Sequence, residues 1–227
     1  MPEIRETKKK KKKKNPFALS LFAEHKILKV ILVMIIASQI YCTVINLNFQ
    51  GHLQEEYPNI DDQTAISGLC FATLNIVSIC FQLILSPFLL KRLPLTYIHI
   101  GIPSLHLIAI ALSFVYPGLW SAVLCLMLFK SLDYSLFRAA KEILYIPLPF
   151  DARFRAKEFI DVFGFRFTKS GSSLSLSIAT KLGFVLTELA FSYIGLFAAA
   201  GWLYMILIFS KNYIKSIKPS LALQAKT

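Results

Sequence analysis

Apolar residues in this chain gather into blocks of roughly twenty, the length at which a helix crosses the hydrocarbon core of a bilayer. The blocks predict six helices, at about 27–49, 66–90, 95–115, 119–146, 157–181 and 187–210. Pro117-Gly118 predicts a tight turn between the third and fourth. Pro147 and Pro149 end the fourth, because the residue before a proline is pushed out of helical geometry. The first block is too long for a signal peptide and no small-residue cleavage site follows it, so it reads as a retained span. Residues 1–20 are polar and lysine-rich, the composition of a disordered tail. The expected fold class is therefore all-α integral membrane, a six-helix bundle. It comprises a basic tail over 1–24, a six-span domain over 25–210 and a second tail over 211–227.

Composition and charge sharpen this picture. Hydrophobic residues make up 56% of the 227, above the 45–50% usual for soluble domains. The formal net charge is +12, but seven of the 25 Lys and Arg form one run, Lys8 to Lys14. The basicity is mostly a tail, which argues against a nucleic-acid-binding face. Beside a span, such a run attracts anionic lipid headgroups by about 1 kcal/mol per lysine, or serves only to set topology. With six spans, this run, Lys91-Arg92, Arg153/Arg155/Lys157 and Lys211/Lys215/Lys218 share one side. The connection "QGHLQEEYPNIDDQTA" over 50–65 has four carboxylates and no Lys or Arg, and falls on the other. The positive-inside rule then places both termini in the cytoplasm, the protein lying in an inner or cytoplasmic membrane. Cys42, Cys70, Cys80 and Cys125 show no metal-ligand spacing, and His25, His52, His99 and His106 form no ligand pattern. No cofactor is implied. No nucleophile–His–carboxylate set or phosphate-binding loop is visible, so an enzyme is the least supported class.

Candidate chemistry lies in charges set within spans. The fourth span carries Lys130, Asp133, Arg138, Lys141 and Glu142. A charge at mid-bilayer costs about 2.5–3.5 kcal/mol, whereas each Leu or Ile returns about 0.5 kcal/mol. Five charges in one helix are thus hard to explain if they face lipid. Lys130, Tyr134, Arg138, Lys141 and Tyr145 are spaced by 4, 4, 3 and 4, one face of an α-helix. Three cations interleaved with two tyrosines suit an anion with an aromatic part. Asp133 and Glu142 flank the stripe, placed to pair with Lys130 and Arg138. In the fifth span Glu158, Arg166, Lys169, Ser173, Ser177 and Thr180 share a side, with Asp161 nearby and Lys157 four residues before it. Two blander accounts stand beside a polar substrate path: interhelical salt bridges that only fix packing, and solvated loop charges, the better account for Asp151, Arg153 and Arg155. Amides at Gln39, Asn46, Asn48, Gln50, Asn75 and Gln82 either bond between helices or line a water-filled path.

The stretch "SLDYSLFRAAKEILYIPLPFDARFRAKEFIDVFGFRFTKSGSSL" resembles the ATP/ADP antiporters of intracellular bacteria and plastids, specifically their C-terminal half. The matching residues are Tyr134 to Phe137, Lys141-Glu142, Tyr145 to Leu148, Lys157, Ile160 to Val162 and Lys169 to Gly171. Thr168 stands where the family has Gly. The resemblance implies a fold like one half of a major facilitator transporter, and exchange of ATP for ADP by alternating access. It implies phosphate contacts from Arg138, Lys141, Arg166 and Lys169 with Lys130 and Tyr134 in the same substrate stripe, Tyr134 or Tyr145 stacking on the base. Asp133, Glu142, Lys157 and Asp161 would act as charge partners or gates. A six-span chain of this kind would need a homodimer or a separately encoded N-terminal half, or be a non-transporting fragment. Another nucleotide or organic anion is the alternative cargo.

Overall fold

The computed structural model describes the backbone of residues 19–182 and 187–224. Side chains are described over 21–182 and 187–209, apart from Asp151, Leu176, Ala179, Thr180 and Glu188. The lysine run, the 211–227 tail charges and the expectations for Asp151 and Thr180 lie outside those limits.

All regular structure among the described residues is helical. A short α1 (Leu19–Glu24) leads into α2 (Lys26–Glu56), α3 (Ile60–Arg92), α4 (Leu95–Val115), α5 (Leu119–Leu144), α6 (residues 150–181) and α7 (Glu188–Gln224). Among the described residues, five stretches are long and apolar enough to cross a membrane: α2, α3, α4, α5 and the Leu189–Phe209 part of α7. The expected span at 157–181 is helical but is not among them. Its charges and its run of serines keep it out, so five spans rather than six stand on length and composition.

The acidic connection is shorter than the sequence predicts. Polar residues 50–56 continue α2, and α3 begins at Ile60 rather than near 66. Only Tyr57, Pro58 and Asn59 lie between. The Asn59 side chain accepts a hydrogen bond from the Asp61 backbone N–H at 3.0 Å, the usual way an N-cap satisfies an orphan donor. Asp61 and Asp62 sit in the first turn, where the positive end of the helix dipole favours them. Gly118 has φ 135°, a conformation open to glycine and strained for other residues, which explains the sharp turn into α5. At the other end of α5, Arg153 donates from Nη2 to the carbonyls of Ile146 (2.7 Å) and Leu148 (3.4 Å). The arginine read as a solvated loop charge therefore ties the turn to the helix it follows.

At the centre stands α2. It packs against α5, α6 and α7, while α7 also covers α4. Leu28, Ile31, Ile35, Tyr41, Phe129, Phe137 and Trp202 are fully buried there. Two glycines permit the closest approaches: a Cβ on Gly164 of α6 would lie 3.0 Å from Ile35 Cγ2 of α2, and one on Gly195 of α7 would overlap Ile110 of α4. Asn48 donates to Ser192 Oγ at 3.0 Å, bridging α2 and α7, so one first-span amide does bond between helices. The outlier is α3, of whose most apolar stretch only 11% is buried. It leans on α5 and leaves Leu69, Ile76, Leu83 and Ile84 exposed.

Three helices contain wide π-helical turns: Phe81–Leu85 in α3, Asp133–Phe137 in α5 and Ile160–Phe167 in α6. Such turns are rare and concentrate at functional sites. The first two touch, and the charged residues gather around the second and third.

Candidate functional site: a charged seam and a polar cleft

The seam joins α5 to α6. Lys141 is 5% exposed, a nearly complete burial for a cation. Its Nζ lies 3.7 Å from Asp161 Oδ1, 3.8 Å from Glu142 Oε1 and 4.5 Å from the Phe165 ring centroid. Glu142 Oε2 in turn accepts from Lys157 Nζ at 2.8 Å. Asp161, Lys141, Glu142 and Lys157 thus form a chain of alternating charge across two helices. Burying the ammonium is costly, and two carboxylates plus an aromatic face offset that cost.

These partners differ from those that spacing alone predicts. Glu142 meets Lys157 and Lys141 rather than Arg138, and Lys157 reaches across to Glu142 rather than along its helix to Asp161. The single five-residue stripe is also broken. The π turn at Asp133–Phe137 interrupts the 3.6-residue period on which the stripe rests, and Lys141 faces α6 while Arg138 faces α3. Tyr145 is 1% exposed, so it is a core residue and not a stacking platform.

Asp133 is buried beneath the seam, and its Oδ1 has no hydrogen-bond partner among the described residues. The charges of Arg138, Lys130, Lys141 and Lys169 all act on it. Lys130 does not pair with it directly; its Nζ lies 5.5 Å from the Tyr134 ring centroid, and Arg138 sits 5.0 Å from the same ring. Glu158, Arg166 and Lys169 are on the uncovered side of α6 together with Ser173. Asp133 therefore lies within electrostatic reach of four of the six predicted anion-facing positions and lacks a direct neutralising contact.

The cleft opens between α5 and α3, with a volume of about 940 Å³. One wall is Asn75, Ser78, Ile79, Gln82, Ser86, Pro87 and Leu90; the other is Tyr134, Ser135, Arg138 and Ala139. Asn75, Ser78, Gln82 and Ser86 are spaced by 3, 4 and 4, one helix face. That signal was open to sequence reading, which singled out the two amides as either bonding between helices or lining a water-filled path, and passed over the serines. Ser78 and Ser131 hydroxyls lie 3.5 Å apart and set the register of α3 on α5. The Ser86 hydroxyl is buried without a partner among the described residues. Arg138 is the one charged side chain on the cleft wall.

Five apolar spans, with an ion chain centred on buried Lys141 that joins the last turns of α5 to the polar α6, make a multi-pass membrane protein. Comparison with known proteins agrees. The model of the TLC ATP/ADP transporter family matches residues 105–213, a stretch that includes α5, the seam and α6. An ADP,ATP carrier protein 1 of Chlamydia pneumoniae is 27% identical over 75% of this chain and 37% of its own length. One from Rickettsia bellii is 36% identical over 38% of this chain and 18% of its own. An ADP,ATP carrier protein 3 of Rickettsia typhi is 24% identical over 88% of this chain and 44% of its own. The chain is similar to ATP/ADP transporters over these stretches, and it spans less than half the length of these curated relatives. No solved structure matches.

Proposed function

We propose that this chain is one six-span half of a nucleotide carrier that exchanges ATP for ADP by alternating access, without covalent chemistry. The observation that carries the reading is the seam: Lys141, almost fully buried, held between Asp161 and Glu142. Ionisable groups kept inside a membrane bundle mark a substrate path. On this reading α6 is the sixth span, its polar side turned from lipid toward the path, and the half is major-facilitator-like. Both termini are cytoplasmic, in an inner or cytoplasmic membrane. Arg138, Lys141, Arg166 and Lys169 contact phosphate oxygens, with Lys130 and Tyr134 beside them, because Arg forks and Lys point charges suit such oxygens. Glu142, Lys157 and Asp161 close the path when phosphate is absent and release the cations when it enters. Asp133 acts on Lys130 and Arg138 as a buried counter-charge without direct contact. The path is completed by a second copy or by a separate N-terminal half.

The test is uptake of radiolabelled ATP into intact cells expressing the chain, for wild type, Lys141→Gln and Lys169→Gln. Uptake is lost in both variants while membrane insertion stays normal. Unchanged uptake in both removes the assignment. A second reading, a partner subunit that does not transport alone, is favoured by the uncovered charges of α6, where Glu158, Arg166 and Lys169 lie exposed. It predicts uptake only when an N-terminal half is co-expressed.

A further inference from the structure

The polar wall of α3 has no role in the seam, yet it is the less expected feature. In a helix that otherwise leaves Leu69, Ile76, Leu83 and Ile84 uncovered, Asn75 and Gln82 point into the cleft. Neither amide has a hydrogen-bond partner among the described residues. Ser86, 4% exposed, also lines the cleft with its hydroxyl unmatched. Unpaired amides on a membrane helix are costly, and a ligand with its own donors and acceptors would satisfy them.

The cleft is polarised along its length. The Ser78–Ser131 contact fixes the register, so Arg138, seven residues beyond Ser131, lies near the level of Ser86. Asn75 is eleven residues back from Ser86, roughly 16 Å at the α-helical rise. A cation therefore stands level with Ser86, and Asn75 lies at the far end, with Gln82 and the apolar Ile79 between them; Pro87 and Leu90 wall the cleft beyond the cation. Tyr134 is already covered by Lys130 and Arg138, so a base stacked on it would have to displace a cation. The amides are the unoccupied recognition groups.

We infer that the α3–α5 cleft holds the nucleotide lengthwise, with the polyphosphate at Arg138 and the base edge read by Gln82 and Asn75. This rests on the nucleotide reading above and adds the residues that set base specificity. A primary amide pairs with the N6 donor and N7 acceptor of adenine in a bidentate way. Guanine presents two acceptors on that edge, so the amide distinguishes the two purines.

The experiment is competition for radiolabelled ATP bound to the purified full chain in nanodiscs, using unlabelled ATP, GTP and tripolyphosphate. Wild type is predicted to prefer ATP over GTP. Gln82→Leu weakens ATP competition by roughly tenfold, the scale of one bidentate base contact, brings GTP level with ATP and leaves tripolyphosphate unchanged. Asn75→Leu acts in the same direction. Arg138→Gln weakens ATP, GTP and tripolyphosphate alike. Gln82→Glu, of the same size, offers acceptors only: it keeps the adenine N6 contact and repels guanine O6 and N7, so ATP competition weakens while the preference over GTP stays, separating recognition from altered packing. If wild type binds ATP and both leucine variants keep its affinity and preference, the cleft does not read the base, though the carrier reading survives. If wild type binds no nucleotide, either alone or with an N-terminal half supplied, the carrier reading falls and the inference with it.

Discussion

The burial of Lys141 makes a double-mutant cycle with Asp161 informative. At 3.7 Å and an effective dielectric of 20, the Coulomb attraction of the pair is about 4 kcal/mol before desolvation. Asp161 and Glu142 are each 47% exposed, so solvent screens much of this and brings the net coupling toward about 1 kcal/mol. Asp161→Asn leaves a buried ammonium with one carboxylate and is expected to cost about 1–2 kcal/mol. Lys141→Met removes the attraction but also the cost of burying the charge, and is expected to cost less. The double variant is then more stable than the sum of the singles by about 1 kcal/mol, or about 2–4 °C in a protein of this size. Thermal unfolding in detergent micelles, followed by tryptophan fluorescence, provides the readout, since Trp202 is 1% exposed and Trp120 lies on the surface. Additivity within about 0.3 kcal/mol would refute the pairing and with it the gate built on it.

Other expectations follow from the packing. Lys157→Gln removes a short but half-exposed pair and is expected to shift stability by less than about 1 kcal/mol; a larger loss in the same melts would mean that Lys157 does more than meet Glu142. Gly164→Leu drives a side chain into Ile35 and is expected to cost about 1–3 kcal/mol by overpacking, read as a lowered Tm, with Ile35→Ala on the same background restoring part of it. His106 is completely buried among Tyr41, Phe129 and Trp202, and both ring nitrogens lack partners among the described residues. His106→Phe is therefore expected to raise the Tm, because an unmatched buried polar group costs about 1–3 kcal/mol; a lowered Tm would reveal a hydrogen bond supplied by water.

Much of the helix layout was legible because it rests on local chemistry. The bounds of α4 coincide with the predicted 95–115, set by Pro94 before it and Pro117-Gly118 after it. The acidic connection was misread because polar composition was taken for a loop. Residues 50–56 carry no helix breaker after Gly51, and the break comes only at Pro58 with Asn59 as cap. The seam was half legible. Its members were identifiable as charges too costly to face lipid, but their pairing was not, since Lys157 has a plausible partner four residues on in its own helix and takes Glu142 of another. The stripe argument failed between Arg138 and Lys141, which share one regular helical segment beyond the π turn at Asp133–Phe137. Arg138 stays with Tyr134 and Lys130, while Lys141 is drawn to Asp161 of α6, a divergence set by tertiary packing that no helical period shows. The cleft was hidden for a related reason: the spacing of Asn75, Ser78, Gln82 and Ser86 gives a polar face, but only tertiary packing puts Arg138 opposite it.

The most direct test of the central claim is counter-exchange in proteoliposomes. Vesicles holding the purified chain, loaded with ADP or left empty, are given radiolabelled ATP outside. An ATP/ADP exchanger takes up label in the ADP-loaded vesicles, with little in the empty ones, and excess external ADP blocks it. Equal accumulation in loaded and empty vesicles, or none in either with the chain correctly inserted and an N-terminal half supplied, would contradict the account.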